Sequence, residues 1–238
     1  VEIDGGTTNL IIGASTIEGD LDLVSGGTIT DDGIVTVRGN LTATTDANNS
    51  DITLDSLEVG GLSTLAPHGT GAVTIVNADG LDFVAMTVRG ALSATATTGN
   101  ITQSGALTIT GTTTLVTSAN DATIALSNTS NAFTGALTIT TNDASGTEAD
   151  ATIDGGTTAL IIAASTIDGD LTLTSGHASG ITDSDTVTVG GNLTATTDDG
   201  DGVINMDTLA VTGTITLTTD GSGAATIDNG TANIDIAA

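Results

Sequence analysis

The sequence predicts an all-β fold built as a parallel β-helix, a β-solenoid. Three observations lead there: the composition, a strict two-residue alternation of aliphatic and polar side chains, and a glycine that returns at regular intervals. The 238 residues contain no Trp, Tyr or Cys, two Phe, one Pro and 32 Gly. Thr is the most abundant residue, followed by Gly, Ala, Asp, Ile, Leu and Val. There is no Lys, and Arg38 and Arg89 are the only strong cations. The Glu, Lys, Gln and Arg that long helices use are scarce. Thr, Val and Ile favour strands, whereas Gly, Asn and Asp favour turns.

The alternation follows an aliphatic-x-aliphatic-x-Gly-x-aliphatic-x-aliphatic pattern. Val187, Val189, Gly191, Leu193 and Ala195 fit it, as do Val35, Val37, Gly39, Leu41 and Ala43. Leu209, Val211, Gly213, Ile215 and Leu217 fit again, and so do Leu107, Ile109, Gly111, Thr113 and Leu115. Period two places this set inward and the Thr, Asn, Asp, Ser and Arg residues outward. The central glycine has inward parity, which marks a bend or a close approach of backbones.

From Gly19 to Gly213 the spacings of these glycines are 20, 22, 29, 21, 24, 34, 22 and 22 residues. A solenoid explains such a beat, because each coil returns the chain to the same place one strand spacing along an axis. The count is roughly nine coils, grouped in three-coil repeats. A coil of about 22 residues buries four or five aliphatic side chains worth roughly 1.5–3 kcal/mol each. Ordering its backbone costs about 1–2 kcal/mol per residue, so a lone coil loses and stacking is required.

Longer identities frame the repeats. "VEIDGGTTNLIIGASTIEGD" (Val1–Asp20) returns as "ATIDGGTTALIIAASTIDGD" (Ala151–Asp170) with 15 of 20 positions identical. "VTVRGNLTATTD" (Val35–Asp46) returns as "VTVGGNLTATTD" (Val187–Asp198). The chain reads as one solenoid segment, 1–238, with units near 15–85, 86–164 and 165–238, and with 1–14 as the tail of a preceding unit. The last stretch, "ATIDNGTANIDIAA" (Ala225–Ala238), matches the first. The expected continuation of the gene is therefore Ser-Thr-Ile-Asp/Glu-Gly, and bare ends should stack head to tail.

The phrases "GNLTATT", "ITQSGALTITGTTTL" and "NAFTGALTIT" resemble the repeat regions of filamentous haemagglutinin-like adhesins and related giant bacterial surface proteins. The resemblance covers essentially the whole chain. It implies a right-handed parallel β-helix, secretion, an extracellular or bacterial cell-surface location, and use as a stalk, adhesin shaft or fibre. It supplies no functional residue to carry over.

The net charge of −27 argues against nucleic acid and anionic membrane surfaces, and favours cations as partners. The acidic turns are "TTDDGDG" (Asp198, Asp199, Asp201) and "TTDANNSD" (Asp46, Asn48, Asn49, Asp51). Turns of this kind can offer oxygen ligands to Ca²⁺, but neither matches an EF-hand loop, and Asp and Asn also shape tight turns. Two Phe, two Arg and two His (His68 in "APHGTG", His177 in "SGHASG") leave little to build a sugar-cleaving site. No catalytic, cofactor or metal residue is assigned, and no enzyme is expected. Outward Thr-x-Thr pairs suggest ice binding, yet "LTATT", "LSTLA", "LDLVS" and "LSATA" make the array irregular. Sequons at Asn40, Asn100, Asn192 and Asn229 leave glycosylation open. The expected function is a structural extracellular rod whose partners are copies of itself or adjoining repeats. A Ca²⁺-dependent or ice-binding module is the alternative, and a carbohydrate-active enzyme a more distant one.

Overall fold

In the computed structural model the described residues are 1–47, 49–144 and 148–231. They form a parallel β-solenoid of about eleven coils with no helix. One wall stacks eleven strands, running from Glu2–Asp4 through Leu41–Thr45, Ile124–Leu126 and Leu171–Ser175 to Ile215–Thr218. A second wall stacks the strands that alternate with these along the chain, from Leu10–Ile17 to Ala225–Ile227. Every pairing is parallel, for example Leu21↔Leu41, Leu23↔Ala43 and Ser25↔Thr45. The inward aliphatics form one continuous core, which contains Leu21, Val37, Leu41, Phe83, Leu115, Phe133, Leu173 and Val189. The inward parity read from the sequence is the parity observed: Leu41–Thr45 and Leu193–Thr197 both alternate buried and half-buried positions.

Nine coils were expected and about eleven are found. One of the two missing coils precedes Gly19, where the glycine count began, and the reason for the other lies in two kinds of wall. A straight wall is one strand of about five residues, such as Leu92–Ala96. A bent wall is two strands of about three, such as Leu81–Phe83 followed by Met86–Val88, or one strand of eight or nine with a register shift in its middle, such as Ile29–Val37. In the flanking parts of the chain the first wall is straight and the second is bent. Between Val73 and Asn142 the roles are exchanged. There the second wall is straight (Val73–Asn77, Leu92–Ala96, Thr113–Asn120, Leu137–Asn142). The first is broken, and the extra pieces Met86–Val88, Leu107–Ile109 and Ala132–Phe133 form a small sheet of their own.

The glycine motif follows the bent-to-straight corner wherever that corner lies. Gly19, Gly39 and Gly61 stack at one corner, and Gly71, Gly90, Gly111 and Gly135 at the other. The intervals of 29 and 34 residues thus each hide an extra half-coil, and a count of glycines undercounts coils. The repeat is accordingly not three whole coils. From Val73 to Asn142 it comprises four straight and three bent half-coils, as it does again from Ala151 to Thr218. Three and a half coils bring the chain to the other wall, and the next straight strand, Ala225–Ile227, does lie there. The expected match of Ala225–Ala238 to Val1–Ala14 lies, from residue 232 onward, outside the described residues.

Where the walls exchange, a straight strand meets a bent one and backbone groups are left over. Asn77, wholly buried, mends the first exchange. Its Oδ1 accepts from Val59 N at 2.7 Å, and its Nδ2 donates to Val59 O at 3.0 Å and Gly80 O at 2.6 Å. Asn229 repeats the arrangement on Val211. The exchange at "IDGGTT" uses other chemistry. Thr158 Oγ1 accepts from Phe133 N at 3.0 Å and donates to Gly155 O at 2.7 Å. Gly156 has φ +55°, and Gly155 has Leu160 so close that a Cβ would stand 2.7 Å from Leu160 Cδ2. The most faithfully repeated stretch of the sequence is therefore a corner-turning device.

Candidate functional site

The acidic turns build upward from backbone demands. Asn49 and Asp201 have φ of 62° and 54°, left-handed conformations that Asn and Asp tolerate. Asn49 Oδ1 accepts from Thr70 N at 3.0 Å and from Thr70 Oγ1 at 2.6 Å. Asp51 Oδ1 accepts from Ala72 N at 2.7 Å, and Asp201 Oδ1 from Ser222 N at 2.7 Å. Asp199 Oδ1 accepts from Gly200 N at 2.7 Å. Most of these acceptors reach the next coil, so the side chains extend the axial ladder around the turns. Asn48 lies outside the described residues.

A second ladder runs along the glycine corner. Asp20 Oδ1 accepts from Asn40 N at 2.8 Å, and Asn40 Oδ1 from Leu62 N at 2.9 Å. Asp150, Asp170 and Asn192 continue it to Asp170 N, Asn192 N and Thr214 N at 2.7, 2.6 and 2.9 Å. Of these residues Asn40 and Asn192 were singled out only as sequons, and the axial role was missed. Its signal was present as the acid or amide that follows Gly19, Gly39, Gly169 and Gly191. The sequon residues Asn40, Asn100 and Asn192 all belong to such ladders. Asn229 is 2 % exposed, so its amide has no room for a glycan.

The structure brings the carboxylate at the end of Ala151–Asp154 together with those of the turn after Leu193–Thr197. Asp154, Asp198 and Asp199 line a shallow groove with Thr129, Gly156 and Gly176. Burial pushes the Asp154 carboxyl above its ordinary value; the Gly156 N–H it accepts lowers it, and the charge of Asp198 raises it. Among the described residues no three His, Cys, Asp or Glu side chains are placed to hold a metal ion. His177 Nδ1 accepts from Ser179 N at 3.0 Å, and His68 contributes its backbone N–H to Thr45 Oγ1 at 2.9 Å. Both histidines lie in turns, far apart along the chain. The ion pair of Arg38 with Glu18, 2.9 Å, is exposed on both sides and contributes little. What the arrangement can do chemically is propagate backbone hydrogen bonding.

No curated protein and no solved structure matches the chain. A family described as repeats of unknown function (DUF5649) matches residues 1–66 and 70–140. The break between the two matches falls where the walls first exchange, after Leu62–Ala66 and before Val73–Asn77. The second match ends inside Leu137–Asn142, at the next exchange. It cuts the tandem series at the structural unit of seven half-coils, whereas the frames near 15–85 and 86–164 cut the same series at another point. With more than half of its residues matched, the chain belongs to this family of repeats, DUF5649.

Proposed function

We propose that this chain is a structural segment of a secreted rod: part of a bacterial surface fibre, filament or adhesin shaft, without catalytic activity. The observation that carries this reading is the repeat itself. Each unit ends so that another can begin on the exchanged wall, with side-chain ladders in register at both corners. That design serves extension. The resemblance to filamentous haemagglutinin-like repeats supports an extracellular or cell-surface location, and the acidic, Lys-free surface suits a rod that stays dispersed. Its partners in this reading are adjoining repeats and further copies, head to tail.

The reading is tested by length. Proteins with two, four and six units should lengthen by roughly 17 Å per unit, three and a half coils at about 4.8 Å. Electron microscopy or small-angle scattering measures this directly. A particle whose longest dimension stops growing with added units would defeat the proposal.

A further inference from the structure

The last unit presents a face that the rod function does not require. The outward positions of its four straight strands are Thr152 and Asp154, Thr172 and Thr174, Thr194 and Thr196, and Thr216 and Thr218. Thr152, Thr172, Thr194 and Thr216 stack as direct partners in one column. Asp154, Thr174, Thr196 and Thr218 stack in the second, with no register shift. Seven of eight places are threonine. The irregularity noted in "LDLVS", "LSTLA" and "LSATA" belongs to the earlier units; this one is regular.

None of these seven hydroxyls hydrogen-bonds to the described residues. The contrast is with inward threonines such as Thr197, whose Oγ1 donates to Gly202 O at 2.9 Å to close a turn. The columns are set about 4.8 Å apart from coil to coil and about 6.6 Å apart along a strand, so methyls and hydroxyls form a two-dimensional lattice. The corresponding face of the middle unit sits on the other wall, and Val76, Ser93 and Val116 interrupt it.

The chemistry of the lattice selects its partner. Apart from Asp154 at one corner it has no charge, on a chain with 29 acidic residues. Side-by-side approach of a second copy of net charge −27 is opposed by charge, with no axial strand ladder to offset it as there is head to tail. The lattice has no aromatic ring to stack on a sugar, and the shallow groove at its Asp154 edge is lined by carboxylates and small residues. A flat array of unused hydroxyls separated by methyls can instead anchor ordered water at fixed spacings. From this geometry we infer that the Thr152–Thr218 face binds ice, the solid whose surface offers oxygen rows on a comparable two-dimensional repeat.

The test uses the 238-residue chain in an ice-recrystallisation assay, with thermal hysteresis as the second readout. The chain should hold ice grains small, and the central substitution Thr196→Lys should raise the concentration required by about tenfold. Thr188→Lys, outward on the bent wall, should leave it unchanged. Circular dichroism and the melting temperature check folding, and Thr194→Lys carries the same test should Thr196→Lys unfold. Grain growth like that in buffer alone overturns the inference. So does a folded Thr196→Lys or Thr194→Lys protein as active as the parent. Self-association that Thr196→Lys abolishes, without any effect on ice, would assign the face to a second copy and overturn it as well.

Discussion

Leu41–Thr45 (LTATT) and Leu92–Ala96 (LSATA) are nearly the same peptide, yet they lie in different walls. Both follow a glycine corner, both bury alternate side chains, and both lead into a turn. The difference teaches that the motif encodes local shape relative to the preceding half-coil. It does not encode a place on the rod; place is set by how many half-coils have gone before.

The comparison can be broken at its glycines. A Cβ on Gly39 would stand 2.7 Å from Gly19 C and 2.8 Å from Asp20 N. One on Gly111 would stand 2.5 Å from Gly90 C and 2.7 Å from Ala91 N. The obstacle is the backbone of the coil before, along the axis; φ is not positive at either residue. Gly39→Val and Gly111→Val should therefore both destabilise by about 3 kcal/mol, the upper end for overpacking. Gly19→Ala, with nothing within 4 Å of the added Cβ, should be near neutral. Chemical denaturation measures all three. A large difference between the first two would mean that the two corners are not equivalent.

The exchange itself is sharpened at Asn77. Asn77→Ala strands Val59 N, Val59 O and Gly80 O, and should cost about 2 kcal/mol or more. Hydrogen exchange should quicken first at Val59. Loss of protection spread evenly along the rod would contradict a local repair role.

A smaller gain is expected at Thr113, an inward position where the pattern calls for an aliphatic. Its hydroxyl is buried with no partner among the described residues. Thr113→Val should stabilise by about 1 kcal/mol, measured by denaturant midpoint.

The smallest effect concerns Asp154, at the second exchange. Its pKa is raised by burial and by Asp198, so the folded state takes up a proton more readily than the unfolded chain. The group therefore opposes folding above its folded pKa, and this penalty fades as pH falls toward the ordinary carboxylate range. Asp154→Asn should raise the melting temperature at pH 7, and the gain should shrink on acidification. A gain that is constant with pH would remove ionisation as the cause.

Much of the architecture was legible in the sequence. Strict alternation around Gly191 gave away the strands and their inward faces, because a two-residue period has one structural meaning. The wall exchange was not legible at Gly90, because its motif is indistinguishable from that at Gly39; only pairing partners reveal which corner it occupies. Asn77 was hidden for a related reason. It continues an outwardly ordinary strand ending, and its importance arises from Val59, 18 residues earlier. The groove joins Asp154 at a strand end to Asp198 in a turn 44 residues later, a distance no local pattern spans.

The odd number of half-coils has a consequence for how such genes change. Similar units in tandem invite unequal recombination, and an event between adjacent copies adds or deletes a single unit. Each event leaves the hydrogen-bond ladder unbroken, so the altered rod still folds. It also turns everything beyond the junction over to the other wall. Copy number therefore acts on two traits at once: it sets reach in steps of one unit, and its parity sets which way a distal face looks.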